Sequence, residues 1–286
     1  MSPDTASAGR IVLAGTPIGN LGDASPRLSE ILQGADVIAA EDTRTFQRLQ
    51  SALGLDITAR VLAHHEHNEE TSAAGLVDLA EAGAEVVLVT DAGMPAVSDP
   101  GYRLVRLAAE RGVTVTCVPG PSAAITALAV SGIASDRFAF EGFLPRKTGE
   151  RRSRLSDLSG ESRTLVFFEA PHRIDDMLED LALAFGPSRP AAVCREMTKH
   201  YEQVLRGTLA DLAERATAEQ LRGEIVVVVE GAPERGEEVG GDMLADVERL
   251  VAGGHRLKDA CAVVAERHRL PKREVYQAVL ASRGTP

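Results

Sequence analysis

The stretch Asp91-Ala92-Gly93-Met94-Pro95-Ala96-Val97-Ser98-Asp99-Pro100-Gly101 decides the fold. It follows the apolar run Val86-Val87-Leu88-Val89-Thr90, rich in β-branched residues and without alternation, the pattern of a strand buried on both faces. Two Gly, two Pro and two Asp in eleven residues neither continue that strand nor start a helix at once. Gly93 permits a positive φ or the close approach of a ligand to the backbone. Tight connections of this kind usually take roughly 2–6 residues. Ligands of open α/β sheets bind beyond the carboxyl ends of the strands. The stretch is therefore read as the wall of a crevice rather than as a long plain turn.

Upstream, Ile11-Val12-Leu13-Ala14 reads as a strand and Gly15-Thr16-Pro17-Ile18-Gly19-Asn20-Leu21-Gly22-Asp23 as the loop after it. The spacing is not the dinucleotide fingerprint. Pro17 has no amide hydrogen, so the loop is a poor phosphate cradle but can shape a pocket wall. Ser25-Pro26 starts a helix, Ser at N-cap and Pro at N1, that ends near Gly34. Val37–Ala40 is a second strand. Glu41-Asp42-Thr43-Arg44 at its end is either a helix cap with a local ion pair or a loop facing the crevice. Val61-Leu62-Ala63 leads into His64-His65-Glu66-His67-Asn68. Adjacent residues point to different faces, and there is no HExxH and no nearby Cys, so a polar loop is favoured over a metal site. A helix over 71–82, the central strand and loop, a helix over 102–111 and a strand over 113–118 follow. Pro119-Gly120-Pro121-Ser122-Ala123 ends that strand, with Ser122 as N-cap of a helix over 123–131. The repeated strand–loop–helix order predicts a parallel sheet with helices on it.

Downstream, the strand over 138–145 leads into a basic run. Arg146, Lys147, Arg151, Arg152 and Arg154 stand against Glu150, either as a solvated helix start or as a phosphate-binding loop. Strands over 164–168, 191–194 and 224–230, with a helix over 174–185, predict a second α/β domain whose strand ends face the first crevice. The expected divisions are a disordered 1–9, α/β domains at 10–121 and 122–233, a charged Gly-rich linker at 234–241, and a helical tail at 242–286. In the tail, a helix over 258–267, a turn at 268–271 and a helix over 272–281 form a helix-turn-helix pattern. Six basic residues stand against Asp259 and Glu266 between Arg256 and Arg273.

The 286 residues carry a net charge of −11, which argues against a protein that coats nucleic acid generally and leaves such contact to local basic patches. Trp is absent and there are only seven Phe and three Tyr, so the cores must be aliphatic and a stacking platform for single strands is disfavoured. Cys117, Cys194 and Cys261, without a CxxC, read as thiols in a reducing compartment. The first ten residues lack an apolar signal region, and no apolar run reaches the ~18 residues of a membrane span. A cytoplasmic protein is expected.

Taken together, GTPIGNLGD (15–23), AEDTR (40–44), HEHNE (65–69), DAGMPAVSDPG (91–101), PGPSA (119–123), GFLPRK (142–147), FFEAPHR (167–173), REMTKHYE (195–202) and GEIVVVVEG (223–231) resemble the tetrapyrrole-methylase superfamily. Within it they resemble the branch that methylates the 2′-hydroxyl of a decoding-centre cytidine, position 1402 in the usual count, in 16S rRNA. The terminal helices are similar to the helix-turn-helix segment of that branch. One departure is Met94, where the family usually has Thr. The resemblance implies S-adenosylmethionine bound between two α/β domains of a homodimer, with 16S rRNA of the small ribosomal subunit as substrate. It places Pro17, Asp91, Gly93, Val97, Ser98, Ser122 and Ala123 beside the cofactor, and Phe168, Met197 and Ile225 around its adenine.

The chemistry narrows the catalytic candidates. A sulfonium methyl is already activated, so the site mainly aligns donor and acceptor. A ribose hydroxyl is a poor nucleophile and calls for a base or strong electrostatic help. Glu41, Glu169, His172 and Lys199 stand at strand ends. Glu169 as proton acceptor and Lys199 as the cation lowering a pKa are preferred, with a structural ion pair as the alternative. No metal is required. RNA contact is expected from Arg146, Lys147, Arg151, Arg152, Arg173, Lys258, Lys272 and Arg273. The competing readings are a corrinoid-precursor C-methyltransferase, which needs neither the basic run nor the tail, and a DNA-binding small-molecule sensor.

Overall fold

The computed structural model describes residues 9–233, 235–268 and 272–283. The chain forms two compact units. The body runs to Leu158 and from Thr164 to Glu230, and the smaller unit joins Ser159–Arg163 to the chain from Gly231 onward.

The first sheet of the body contains β1 (Arg10–Ala14), β2 (Val37–Ala40), β3 (Arg60–Ala63), β4 (Glu85–Val89) and β5 (Thr114–Val118). All are parallel, in the order β3-β2-β4-β1-β5. Four helices follow these strands: α1 (Pro26–Gly34), α2 (Thr43–Leu53), α3 (Glu69–Glu81) and α4 (Tyr102–Glu110). A parallel sheet needs cover on both faces. Leu76, Val77 and Leu104 pack on one side of it, Leu28, Leu32 and Phe46 on the other. β4, the central strand, has Val86, Val87, Leu88 and Val89 at no more than 1% exposure. α1 begins as its sequence dictates: Ser25 Oγ accepts from the Leu28 amide at 3.1 Å, and Pro26 fills the first turn, where no amide is needed. At α2, Asp42 caps the Arg44 amide at 2.8 Å and also pairs with the Arg44 side chain, so the cap and ion pair are both present.

α5 (Ala123–Ser131) leaves the first sheet and packs on the second, placing Ala124, Ala127 and Leu128 against Val166, Val226 and Val228. The second sheet contains β6 (Phe138–Phe143), β7 (Thr164–Glu169), β8 (Pro190–Arg195), β9 (Gln203–Thr208) and β10 (Ile225–Val229), in the order β6-β7-β10-β8-β9. Only β6 and β7 are parallel; β10 runs antiparallel to both neighbours, as β9 does to β8. α6 (Thr148–Leu158), α7 (Ile174–Phe185) and α8 (Leu209–Glu219) complete it. β9 and α8 are absent from the sequence reading. β9 is a half-polar edge strand with a weak pattern, but α8 carries a legible signal, a capping box between Thr208 and Asp211.

The smaller unit holds α9 (Arg235–Ala252), α10 (Leu257–His268) and α11 (Lys272–Arg283) around Met243, Val247, Cys261, Val264, Val275 and Val279. The expected linker at 234–241 is helical from Arg235 on. Gly in a helix costs about 1 kcal/mol against Ala but does not forbid it. Of the expected turn at 268–271, His268 is instead the last residue of α10, and 269–271 lie outside the described residues, as do residues 1–8 of the expected disordered segment. Gly9 itself is packed: a Cβ there would meet the Ala80 and Ala84 carbonyls. Among the described residues no helix is long and apolar enough to cross a membrane.

Candidate active site

The loop at 91–101 is held by contacts that its own sequence does not reveal. Thr16 and Gly93 exchange both backbone hydrogen bonds, at 2.9 and 3.1 Å, tying the loop after β1 to the loop after β4. Glu69, from the HEHNE motif, accepts the Gly101 amide at 2.8 Å and the Arg103 amide at 3.1 Å. It thereby caps the start of α4 and fixes the far end of the loop. Gly15 and Gly120 touch back to back: a Cβ on Gly15 would lie 2.7 Å from the Gly120 Cα. Met94 fills the space beside them, and its Sδ accepts the Gly120 amide at 3.3 Å.

Two loops carry backbone strain. Ala96 and Ser98 have φ of 68° and 64°, and Glu196 and Thr198, after β8, have 51° and 66°. The left-handed region costs a side-chain-bearing residue roughly 1–2 kcal/mol, and such residues gather at functional sites. These two loops face one cavity of about 240 Å³ from the two sheets. Gly93, Met94, Val97, Ser98 and Asp99 line it from the first loop, and Ser122 and Ala123 from the start of α5. Ser122 is the N-cap of α5, yet its side chain makes no capping bond. From the second sheet come Phe143, Phe168, Glu169, Met197, Glu224 and Ile225. The direction of β10 makes this possible. Running antiparallel to β7 and β8, it sets Ile225 beside Glu169 and Arg195, so its beginning meets their ends.

The cavity wall includes Asp99, Glu169 and Glu224 but no Lys, Arg or His. Burial pushes Asp99 up to about 7, with the neighbouring charges of Glu41 and Asp91 adding to the effect. Burial also raises Glu41 and Asp91. The Glu41 carboxylate accepts the Asp91 amide at 3.2 Å, and Asp91 accepts the Asp42 amide at 3.3 Å. The Glu169 side chain is fully buried, and its Oε1 accepts the Ala170 amide at 2.8 Å. Its Oε2 lies 3.2 Å from Arg173 Nη2, but the angle makes no hydrogen bond. Burial raises the Glu169 pKa, opposed by the Ala170 amide and then Arg173.

Of the ten residues expected beside a cofactor, Gly93, Val97, Ser98, Ser122, Ala123, Phe168, Met197 and Ile225 line this cavity. Pro17 is buried next to the lining residue Ile18, while exposed Asp91 stands behind the wall with Glu41. Ile18, Asp99, Phe143 and Glu224 escape the sequence reading as site residues. Asp99 lies in the decisive loop and could have been chosen there; the others give no local signal.

Three charged assignments need correction. Glu169 does not pair with Lys199. The Lys199 ammonium sits 3.0 Å from both Glu196 and Glu224, its stem laid where a Cβ on Gly19 would go, and Arg173 takes the place beside Glu169. Arg151 is not a surface cation: its side chain is 3% exposed and its Nε donates to Asp180 at 2.6 Å. Arg173 is mostly buried, donating to the Leu144 and Pro145 carbonyls. Both arginines are consumed by the fold because a buried guanidinium must be paired. Arg146, Lys147 and Arg152 are exposed, as are Lys258, Lys272 and Arg273 in the smaller unit. His172 is exposed too. His64 is buried, its Nδ1 2.7 Å from Ser72 Oγ.

Two sheets of this topology around a strand-end cavity define the tetrapyrrole methylase fold. Solved structures share it: a cobalt precorrin-4 methyltransferase (TM-score 0.57, 21% identity, 79% of this chain and 96% of that one) and the uroporphyrin-III C-methyltransferase of Thermus thermophilus complexed with S-adenosylhomocysteine (0.56, 22%, 78% and 97%). The family model of tetrapyrrole (corrin/porphyrin) methylases matches residues 10–213, and that of the RsmI C-terminal HTH domain matches 237–283. The ribosomal RNA small subunit methyltransferase I of Mycobacterium tuberculosis is 49% identical over 97% of this chain and 96% of its own length. That of Escherichia coli O157:H7 is 42% identical over 97% of both. The chain belongs to the tetrapyrrole methylase family and, within it, to the ribosomal RNA small subunit methyltransferase I family.

Proposed function

We propose that this chain is an S-adenosylmethionine-dependent rRNA methyltransferase that methylates the 2′-hydroxyl of a decoding-centre cytidine in 16S rRNA. The observation that carries the reading is the cavity, where loops of both sheets converge as the family's motifs require. Its residues fit the donor. Phe168, Met197 and Ile225 offer an apolar slot for a flat base, and Ser98, Ser122 and the Gly93 backbone offer polar contacts. The start of α5, with its uncapped amides, suits the carboxylate of an amino acid. S-adenosylmethionine supplies a methyl group already activated on a sulfonium.

Glu169 is the proton acceptor in this proposal. It reaches the cavity wall, its Oε2 has no hydrogen-bond partner, and burial makes it more basic than an ordinary carboxylate. It takes the proton of the ribose hydroxyl as the methyl–oxygen bond forms and the methyl–sulfur bond breaks, with the uncharged thioether as leaving group. Lys199, neutralised by two carboxylates, holds the strained loop that carries Met197 and acts as a positioning residue. Exposed Arg146, Lys147 and Arg152, with Lys258, Lys272 and Arg273, contact RNA phosphates, which gives binding a steep salt dependence. We further propose that the enzyme acts as a homodimer on the small ribosomal subunit in the cytoplasm; the absence of a disulfide among its described cysteines accords with a reducing compartment.

The test is transfer of radiolabelled methyl to small subunits lacking the modification, with naked rRNA and a corrinoid precursor in parallel. Label on one cytidine ribose is expected. Label on the corrinoid alone overturns the substrate, and tight donor binding without transfer to anything favours a sensor. Glu169→Gln should keep donor binding and slow single-turnover transfer by about 10²-fold or more; a near-normal rate removes Glu169 from its role.

A further inference from the structure

The charge of the cavity asks for a ligand of the opposite sign. Its walls hold three carboxylates and no basic side chain. Glu224 is mostly exposed and is already paired with Lys199. Glu169 is fully buried, and its Oε2 has Arg173 as an ion-pair partner at 3.2 Å. Asp99 is the remaining one. No hydrogen bond or ion pair to Asp99 occurs among the described residues, and two further acids, Glu41 and Asp91, stand behind it. Three acids from the loops after β2 and β4 crowd together, where the charges of Glu41 and Asp91 both disfavour ionised Asp99. Residues that destabilise a fold without any packing return mark function.

We propose, on the reading of the cavity as the methyl-donor site, that Asp99, backed by Glu41 and Asp91, recognises the sulfonium charge of the donor and so makes the site prefer S-adenosylmethionine over its uncharged thioether product. The two molecules share adenine, ribose, ammonium and carboxylate, and differ at one charged sulfur. The positive charge of the donor draws Asp99 into its anionic form, and that pairing is lost once the methyl has left. Product release then follows from the reaction itself. Asp99 acts here as a specificity residue and takes no part in bond making. The other charges facing this corner are Asp42 and Glu66, beside Glu41, and Arg44, which pairs with Asp42 and also faces Asp91.

The experiment is calorimetric binding of S-adenosylmethionine, S-adenosylhomocysteine and sinefungin, which carries an amine near the sulfonium position, to the full chain and to Asp99→Asn and Glu41→Gln. The wild type should bind the two cationic ligands at least about tenfold more tightly than the thioether, the fold-change of a single favourable charge contact. Asp99→Asn should bring that ratio close to one while leaving the affinity for S-adenosylhomocysteine unchanged or higher. Glu41→Gln should lower the ratio partway. Equal weakening of all three ligands by Asp99→Asn overturns the proposal, because it places the aspartate on the shared ammonium or ribose. An unchanged ratio overturns it as well. If the wild type binds none of the three, the donor-site reading itself fails, a result separable from the other two.

Discussion

Removing Asp180 should unfold the body far more than its place on a surface helix implies. Asp180 lies in α7 with its side chain 3% exposed, and it accepts Arg151 Nε and Arg152 Nε, each at 2.6 Å. Arg151 is equally buried, and its other acidic neighbour, Asp176, is 3.9 Å away and 72% exposed. Asp180→Ala thus leaves a guanidinium in the core whose remaining acidic neighbours, solvent-screened Asp176 and Glu169, do not hydrogen-bond to it. Breaking a buried pair from one side costs about 3–5 kcal/mol. For a unit of this size, that lowers Tm by about 6–20 °C. The double variant Arg151→Met with Asp180→Leu should recover most of the loss, because neither buried charge remains. Thermal unfolding followed by circular dichroism at about 0.1 and 1 M salt gives the readout, and the loss should persist at high salt, since the pair is shielded from ions. The contrast is Arg146→Ala with Lys147→Ala, which should leave stability within about 0.5 kcal/mol and weaken RNA binding. A cost below about 1 kcal/mol for Asp180→Ala would refute the reasoning, since Arg151 would then reach water by itself and return to the list of RNA contacts.

Three further outcomes follow from the same geometry. Asp99 has its pKa raised from 3.8 to about 7, so the folded protein holds a proton that the unfolded chain has lost. The Asp99 contribution to stability should therefore fall as pH rises from about 4 to about 7 and stay level above; Asp99→Asn should remove that contribution, and leave those of Glu41 and Asp91, in urea titrations across that range. Gly120→Ala places a Cβ 2.8 Å from the Gly15 backbone and should cost about 1–3 kcal/mol, measured by chemical denaturation, whereas Met94→Thr, which loses one weak amide-to-sulfur bond, should cost under about 1.5 kcal/mol. Glu69→Ala uncaps α4 and should cost about 1–2 kcal/mol by the same measure; weaker donor binding should accompany it, because the 91–101 loop loses its far anchor.

The sequence by itself determined whatever depends on near neighbours in the chain. Ser25-Pro26 starts a helix because cap and first turn are three residues apart. Val86–Val89 is a central strand because an unbroken apolar, mostly β-branched run fits only between two covered faces. The loop at 91–101 is a wall because glycine, proline and aspartate allow neither regular structure. The order of the motifs marks most of the cavity residues. Tertiary structure decided the partners of charges and the direction of strands. Arg151 and Arg146 look alike in a basic run, yet one meets Asp180 in the core and the other meets water, because Arg151 lies in α6 beside α7 while Arg146 precedes the helix. Lys199 and Glu169 both stand at strand ends, but each finds a nearer partner than the other. Ile225 enters the site only because β10 runs against β7 and β8, and no residue of β10 encodes that direction locally. Asp99 is an ordinary loop aspartate until Glu41, 58 positions earlier, is folded against it. Coulomb energy and burial are set by distance in space, and a sequence records only distance along the chain.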